Sequence, residues 1–269
     1  MHPPIIYGTA WKKEQTKDLV IQAVKTGFRA IDTACQPKHY HEKGVGDALK
    51  VLQAEGFDTK ELFVQTKFTP LAGQDPLNIP YDKNTPLEKQ VQDSFEASKA
   101  NLGLDYIDAL LLHSPLFPYK DLLSVYRQME AIHARGEVGA IGISNTYDLA
   151  TLKRLYEDAT IKPTYLQNRF YADSDYDVKI RSWCREHNLI YQSFWTLTAN
   201  PHILQSETLF KLSRKYKAEL VQIYFAYLHH IGIIPLTGTK DEEHMQSDLK
   251  SFDFELSHEE IHELDGLFN

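Results

Sequence analysis

Short apolar, β-branched runs recur along the chain, with longer segments of helical spacing between them. The runs are IIYG from Ile5, FRAID from Phe28, LFVQTK from Leu62, IDALLLH from Ile107, VGAIGIS from Val138, TYLQN from Thr164, LIYQSF from Leu189 and GIIPL from Gly232. Runs of this length and make-up fit strands buried on both faces. Between them, TKDLVIQAVKTG carries an apolar stripe at Leu19, Val20, Ala23 and Val24, and Gly27 supplies a helix stop. PLEKQVQDSFEASKANLG, YKDLLSVYRQMEAIHARG and YDVKIRSWCREHN read the same way, each long enough to cross a sheet and return. Strands joined by helical crossovers form a parallel sheet. Eight such units predict an α/β fold, a single (β/α)8 TIM barrel over residues 1–269, rather than an open doubly wound sheet. No G-x-G-x-x-G follows the first run, so the open sheet lacks its nucleotide fingerprint.

Composition agrees with an ordinary globular core: 42% of residues are hydrophobic and 25% charged. The net charge of -8 comes with no basic block able to track a phosphate backbone, which argues against nucleic acid as a partner. The two cysteines, Cys35 and Cys184, form no C-x-x-C, so a reducing cytoplasm is the expected setting. No signal-like stretch opens the chain and no apolar run is long enough to span a membrane. A monomer is the default expectation, for want of an apolar docking stripe.

In such barrels the chemistry sits at the carboxyl ends of the strands. Three runs end in a polar group: FRAID in Asp32, LFVQTK in Lys67 and DALLLH in His113. Neighbouring strands lie about 4.8 Å apart, so strands 2, 3 and 4 bring these groups to one mouth. Each alone reads equally as a turn, surface or capping residue, but three at one end of successive strands point to a site. A lysine beside an aspartate can be held charged, and that charge favours ionisation of a nearby phenol. Tyr40, in the loop after strand 2, is the phenol in reach.

With these residues in place the chain resembles the aldo-keto reductases. Asp32 in DTA, Tyr40, Lys67 in TKF and His113 in LLLHSP match that family's Asp-Tyr-Lys-His tetrad, and the likeness extends through GTAW, GISN, LQNRFY and IPLTGTK. The resemblance implies reduction of aldehydes and ketones by hydride transfer from NADPH, with NADH also open, and no metal. Tyr40 would be the general acid, Lys67 paired with Asp32 would lower its pKa, and His113 would orient the carbonyl. Ser144, Asn145 and Gln167 would hold the cofactor carboxamide, and Phe194 would stack on the nicotinamide. Thr9 and the stretch Thr237, Gly238, Thr239, Lys240, with His244 near the usual arginine position, complete the expected cofactor contacts. Trp11, Tyr81 and Phe117 are candidates to line the substrate pocket or simply to pack loops. Two departures stand out: Tyr40 follows Asp32 by eight residues where many members have five, and Ser114 takes the place of an aromatic. The chain ends soon after Leu264, Leu267 and Phe268, without the long closing loop of many relatives, so an open pocket is expected.

Rival readings have sequence support. Asp32, Cys35, His39 and His41 are spaced like metal ligands, and HEEIH from His258 matches H-E-x-x-H. In the second, Ser257 and Glu260 form a capping box and Ile261, Leu264 and Phe268 a buried stripe, which leaves both histidines on the polar flank. GISNT lacks the second glycine of G-x-S-x-G, so Ser144 is read as a cofactor contact and not a nucleophile. On the same barrel, Lys67 as a Schiff-base amine would give an aldolase or lyase, and a nucleotide-binding barrel without turnover is the non-enzymatic alternative.

Overall fold

A strand forms at each of the eight apolar runs, ending within it or one residue beyond: Ile6–Gly8 (β1), Ala30–Asp32 (β2), Phe63–Phe68 (β3), Ile107–Leu112 (β4), Val138–Ser144 (β5), Tyr165–Arg169 (β6), Ile190–Phe194 (β7) and Ile233–Thr237 (β8). In this computed structural model, which describes residues 3–268, they close into one parallel barrel in chain order, β8 pairing with β1. Met1, His2 and Asn269 lie outside the described residues. Helices Thr16–Thr26 (α1), Glu42–Ala54 (α2), Leu87–Leu102 (α3), Tyr119–Ala134 (α4), Leu149–Asp158 (α5) and Val178–Glu186 (α6) supply the crossovers up to β7. Pro201–Leu204 (α7), Glu207–Tyr216 (α8) and Leu220–His230 (α9) lead into β8, and Glu242–Leu249 (α10) and His258–Asp265 (α11) follow it. Among the described residues no helix is long and apolar enough to cross a membrane.

The local rules hold where the sequence is strongest. Leu19, Val20, Ala23 and Val24 are buried, and Gly27 ends α1 at φ 133°, a conformation closed to most side chains. Ser257 and Glu260 cap α11 reciprocally. YDVKIRSWCREHN departs from expectation at its start. Tyr176 and Asp177 are left-handed and the helix begins at Val178, because the buried Asp177 carboxylate is taken by Asn168 Nδ2 at 2.7 Å and the Tyr191 hydroxyl at 2.8 Å. Tertiary hydrogen bonds override the helical pattern there.

Most of the core lies between barrel and helices, where Val64, Leu110, Ile141 and Leu166 meet the helix stripes. The barrel interior is layered by the two-residue pleat. At the amino-terminal end it is apolar, filled by Ile6, Ala30 and Ile234 and by Ala109, Leu111 and Tyr165, with Phe63 and Ile190 packed on both groups. One step up, the same strand faces carry Asp32, Gln65, Gln167 and Gln192. The apolar layer is thus a floor beneath a polar one.

Gly142 of β5 shows how tightly the interior is filled. A Cβ there would lie 2.4 Å from the Tyr165 carbonyl oxygen and 2.7 Å from Leu111 Cδ2. Gly142→Ala is expected to destabilise the fold by about 1–3 kcal/mol, the usual cost of overpacking. A denaturant titration with an unchanged midpoint would contradict this account of the interior.

Candidate active site

Strand ends place the first charged pair. Asp32 closes β2 and Lys67 is the fifth residue of β3, and their side chains meet inside the barrel at 2.5 Å, both essentially inaccessible. Asp32 Oδ1 also accepts from Gln65 Nε2 at 2.6 Å and Gln167 Nε2 at 3.0 Å. Gln192 joins these amides, accepting from both at 2.8 and 3.0 Å and donating to Gln65 Oε1 at 3.0 Å. The remaining strong contact of Lys67 Nζ is the Thr33 carbonyl oxygen at 3.0 Å. Thr9 anchors the aspartate from behind: its backbone N–H and its hydroxyl both donate to the Asp32 carbonyl, at 3.0 and 2.9 Å.

Tyr40 reaches this pair although the loop before it is long. The extra residues are folded into a turn in which the Gln36 carbonyl accepts from the N–H groups of both His39 and Tyr40. Lys67 Nζ lies 5.2 Å from the Tyr40 ring centre, and the His113 ring meets that ring edge-on at 5.9 Å. All four residues of the tetrad therefore converge at one mouth. Burial first, then the Asp32 carboxylate, pushes the Tyr40 phenol well above its ordinary value. This corrects the sequence expectation of a phenol drawn down by Lys67. The lysine is itself lowered by burial, against the opposing pull of Asp32. The phenol is accordingly protonated at neutral pH, the form that can donate.

His113 is pushed well below its usual value, by burial and then by the positive charge of Lys67. Its Nδ1 lies 2.6 Å from Thr69 Oγ1. The donor in this contact depends on the ring tautomer: where the Thr69 hydroxyl donates to Nδ1, the neutral ring carries its own proton on Nε2.

The tetrad opens into a cavity of about 970 Å³. Asp32, Tyr40 and His113 line it, and Lys67 stands behind them. On one wall are Ser144, Asn145, Gln167 and Phe194, and on another Thr237, Gly238, Thr239, Lys240 and His244, with Trp11 at the rim. Asn145 sits at φ 52° and donates from Nδ2 to the His113 carbonyl at 2.8 Å, tying this wall to the tetrad. Three sequence candidates lie elsewhere. Thr9 is wholly buried as the anchor just described. Tyr81 is buried against Phe68 with its hydroxyl on the Thr69 carbonyl, where it buttresses the residue that holds His113. Phe117 is 70% exposed and does not line the cavity.

The ligand-like clusters separate in space. Cys35 is buried, the His39 ring lies 3.9 Å from that of Trp11 at a tilt of 35° and His41 is exposed. His258 and His262 are both exposed on α11. Among the described residues no three histidines, cysteines or carboxylates gather as a metal-holding group.

Four contributors went unread in the sequence. Lys12 is 2% exposed, donates to the Gly238 carbonyl at 2.7 Å and is lowered to about 8 by burial and by neighbouring Lys240. Thr69 holds His113, Gln192 completes the amide layer, and Arg169 lines the cavity. Strand alternation carried a signal for two of them, since Arg169 follows Gln167 by two residues and Gln192 precedes Phe194 by two. Lys12 and Thr69 act through loop contacts that periodicity does not encode.

The comparisons agree with this architecture. The aldo/keto reductase family profile matches residues 4–199. Glyoxal reductase of Bacillus subtilis (strain 168) is 28% identical over 254 residues, covering 94% of this chain and 83% of that protein. The NAD(P)H-dependent 6'-deoxychalcone synthase of Glycine max is 26% identical over 273 residues, covering 94% and 81%. An aldo-keto reductase from a Medee basin deep-sea metagenome library superposes with a TM-score of 0.83 at 27% identity, over 99% of this chain and 92% of the other. A closed barrel carrying the tetrad at its mouth, with a family match across nearly three-quarters of its length, makes this chain a member of the aldo/keto reductase family of oxidoreductases.

Proposed function

We propose that the protein reduces small aldehydes and ketones to alcohols with NADPH, Tyr40 serving as the general acid. The observation that carries this reading is the convergence of Tyr40, His113 and the Asp32–Lys67 pair at the floor of the cavity. His113 Nε2–H and the Tyr40 hydroxyl both donate to the substrate oxygen and hold the carbonyl carbon toward the nicotinamide. NADPH, when bound, supplies the hydride. As charge develops on the oxygen, Tyr40 gives up its proton and the resulting phenolate faces the Lys67 ammonium, which stabilises it. A neutral His113 suits the role of hydrogen-bond donor and leaves the phenol as the proton source.

The cavity fits a dinucleotide. Phe194 offers a flat ring beside Ser144, Asn145 and Gln167 at the reaction end. At the other end Lys12 and Lys240 supply positive charge next to Gly238 and Thr239, and the buried Ser247 hydroxyl in the wall has no partner among the described residues. Two lysines favour the extra phosphate of NADPH, and exposed His244, without an arginine's fork, leaves NADH open. The Schiff-base alternative is disfavoured because Lys67 is fully buried behind Asp32, out of reach of a carbonyl in the cavity. A monomer in a reducing cytoplasm, with Cys35 and Cys184 as buried free thiols, completes the proposal.

Purified protein with NADPH and a reactive aromatic aldehyde is expected to consume the cofactor, read as loss of its near-ultraviolet absorbance. Tyr40→Phe should lower kcat by at least about 100-fold, the scale of general acid catalysis, with NADPH affinity nearly unchanged. Tight NADPH binding without turnover of any aldehyde in a broad panel would favour the regulatory barrel instead.

Thr69→Val removes the proton that sets the His113 tautomer. It should reduce kcat/KM by about tenfold, the scale of one lost hydrogen bond in a buried site, while Thr69→Ser retains most activity. Equal activity of the two variants would dismiss this positioning role.

Lys12 carries its charge fully only below its value of about 8. Phosphate favours the charged form, so NADPH affinity should weaken as pH rises through and above 8, and Lys12→Met should flatten that dependence. A pH-independent dissociation constant between 7 and 10 would remove Lys12 from the phosphate site.

A further inference from the structure

The barrel interior rises in layers along β6: Tyr165 in the apolar floor, Gln167 in the amide layer and Arg169 at the mouth. Two residues of strand put Arg169 on the same face as Gln167 and about 6.6 Å higher, in the lining of the cavity that the tetrad opens into. Its guanidinium lies 4.1 Å from the Trp195 ring centre and 5.1 Å from that of Tyr171. Trp195 holds its place at φ 56°, a left-handed conformation strained for an aromatic residue. The backbone N–H of Arg169 donates to the Tyr147 hydroxyl at 2.9 Å, and that hydroxyl in turn donates to Asn145 Oδ1 at 3.3 Å. The arginine is therefore fixed by its neighbours, yet among the described residues no carboxylate pairs with it and no guanidinium N–H meets an acceptor.

Resting on the carbonyl-reductase reading, we propose that Arg169 is a carboxylate-binding group and that the preferred substrates are carbonyl compounds bearing a carboxylate. A stacked guanidinium keeps its N–H fork free, and that fork matches a carboxylate in two parallel hydrogen bonds. Its position says which anion it meets. Lys12 and Lys240 gather at Gly238 beyond β8, where they suit the cofactor phosphates. Arg169 pairs in register with Phe194, the ring at the nicotinamide end, so an anion held there belongs to the molecule being reduced.

The test compares 4-carboxybenzaldehyde with its methyl ester, which has the same carbonyl and no charge. The unaltered protein should prefer the acid. In Arg169→Met the ratio of kcat/KM for acid over ester should fall about tenfold or more, as expected for a lost charge-assisted pair, mainly through KM. Arg169→Lys, which keeps the charge and loses the fork, should fall between. A ratio that stays constant in both variants overturns the proposal. So does a loss confined to NADPH affinity, which would place the anion on the cofactor. Calorimetric titration of benzoate into the protein with NADP+ decides the matter without turnover: binding by the unaltered protein that Arg169→Met abolishes supports the site, and absence of binding by the unaltered protein refutes it. If neither aldehyde is reduced but benzoate binds through Arg169, the carbonyl-reductase reading fails and the anion site stands.

Discussion

The Asp32–Lys67 ion pair is the constraint around which the rest is arranged. Two opposite charges 2.5 Å apart and out of water are costly unless every remaining hydrogen-bonding position is met. Gln65 and Gln167 meet the Oδ1 atom of Asp32 and the Thr33 carbonyl accepts from Lys67, while Gln192 satisfies the two glutamines in turn. An apolar floor of Ile6, Ala30, Ile234, Leu111 and Tyr165 keeps that polar layer at one height in the barrel. Removing either charge would leave its partner buried and uncompensated, at a cost of about 3–5 kcal/mol. The pair thus ties stability and chemistry to the same two strand ends.

Around it the site separates proton donors by environment. Tyr40 is kept protonated by burial and by Asp32, whereas His113 is kept neutral by burial and by Lys67. One charged pair therefore acts in opposite senses on two neighbours that line the same cavity. The positive groups are also divided by position. Lys12 and Lys240 sit near β8 and β1, and Arg169 lines the cavity from the end of β6.

The departures from the family pattern take on physical meaning in the folded chain. The longer stretch between Asp32 and Tyr40 is absorbed by a turn closing on the Gln36 carbonyl, so the phenol still reaches the lysine. His39, brought to the cavity by that turn, packs its ring against Trp11, and both line the cavity. Thr69, two residues after Lys67, takes His113 by its Nδ1, and Tyr81 and Gln74 hold the Thr69 carbonyl in place.

Strand runs, helix stripes and the polar residues that end FRAID, LFVQTK and DALLLH were all legible in the chain, because each depends on neighbours a few positions away and on a pleat of period two. From them follow the barrel and the end at which its polar strand-end residues gather, whereas the tetrad as a set came from the family resemblance. What they could not reveal was the sign of the shift on Tyr40, which depends on how deeply the phenol is buried and how near Asp32 lies. Nor could they show that Thr9 and Tyr81 serve as supports, or that Lys12 and Thr69 belong to the site. Those outcomes arise from contacts between loops far apart in sequence, and only barrel closure sets the distances and the exclusion of water on which they turn.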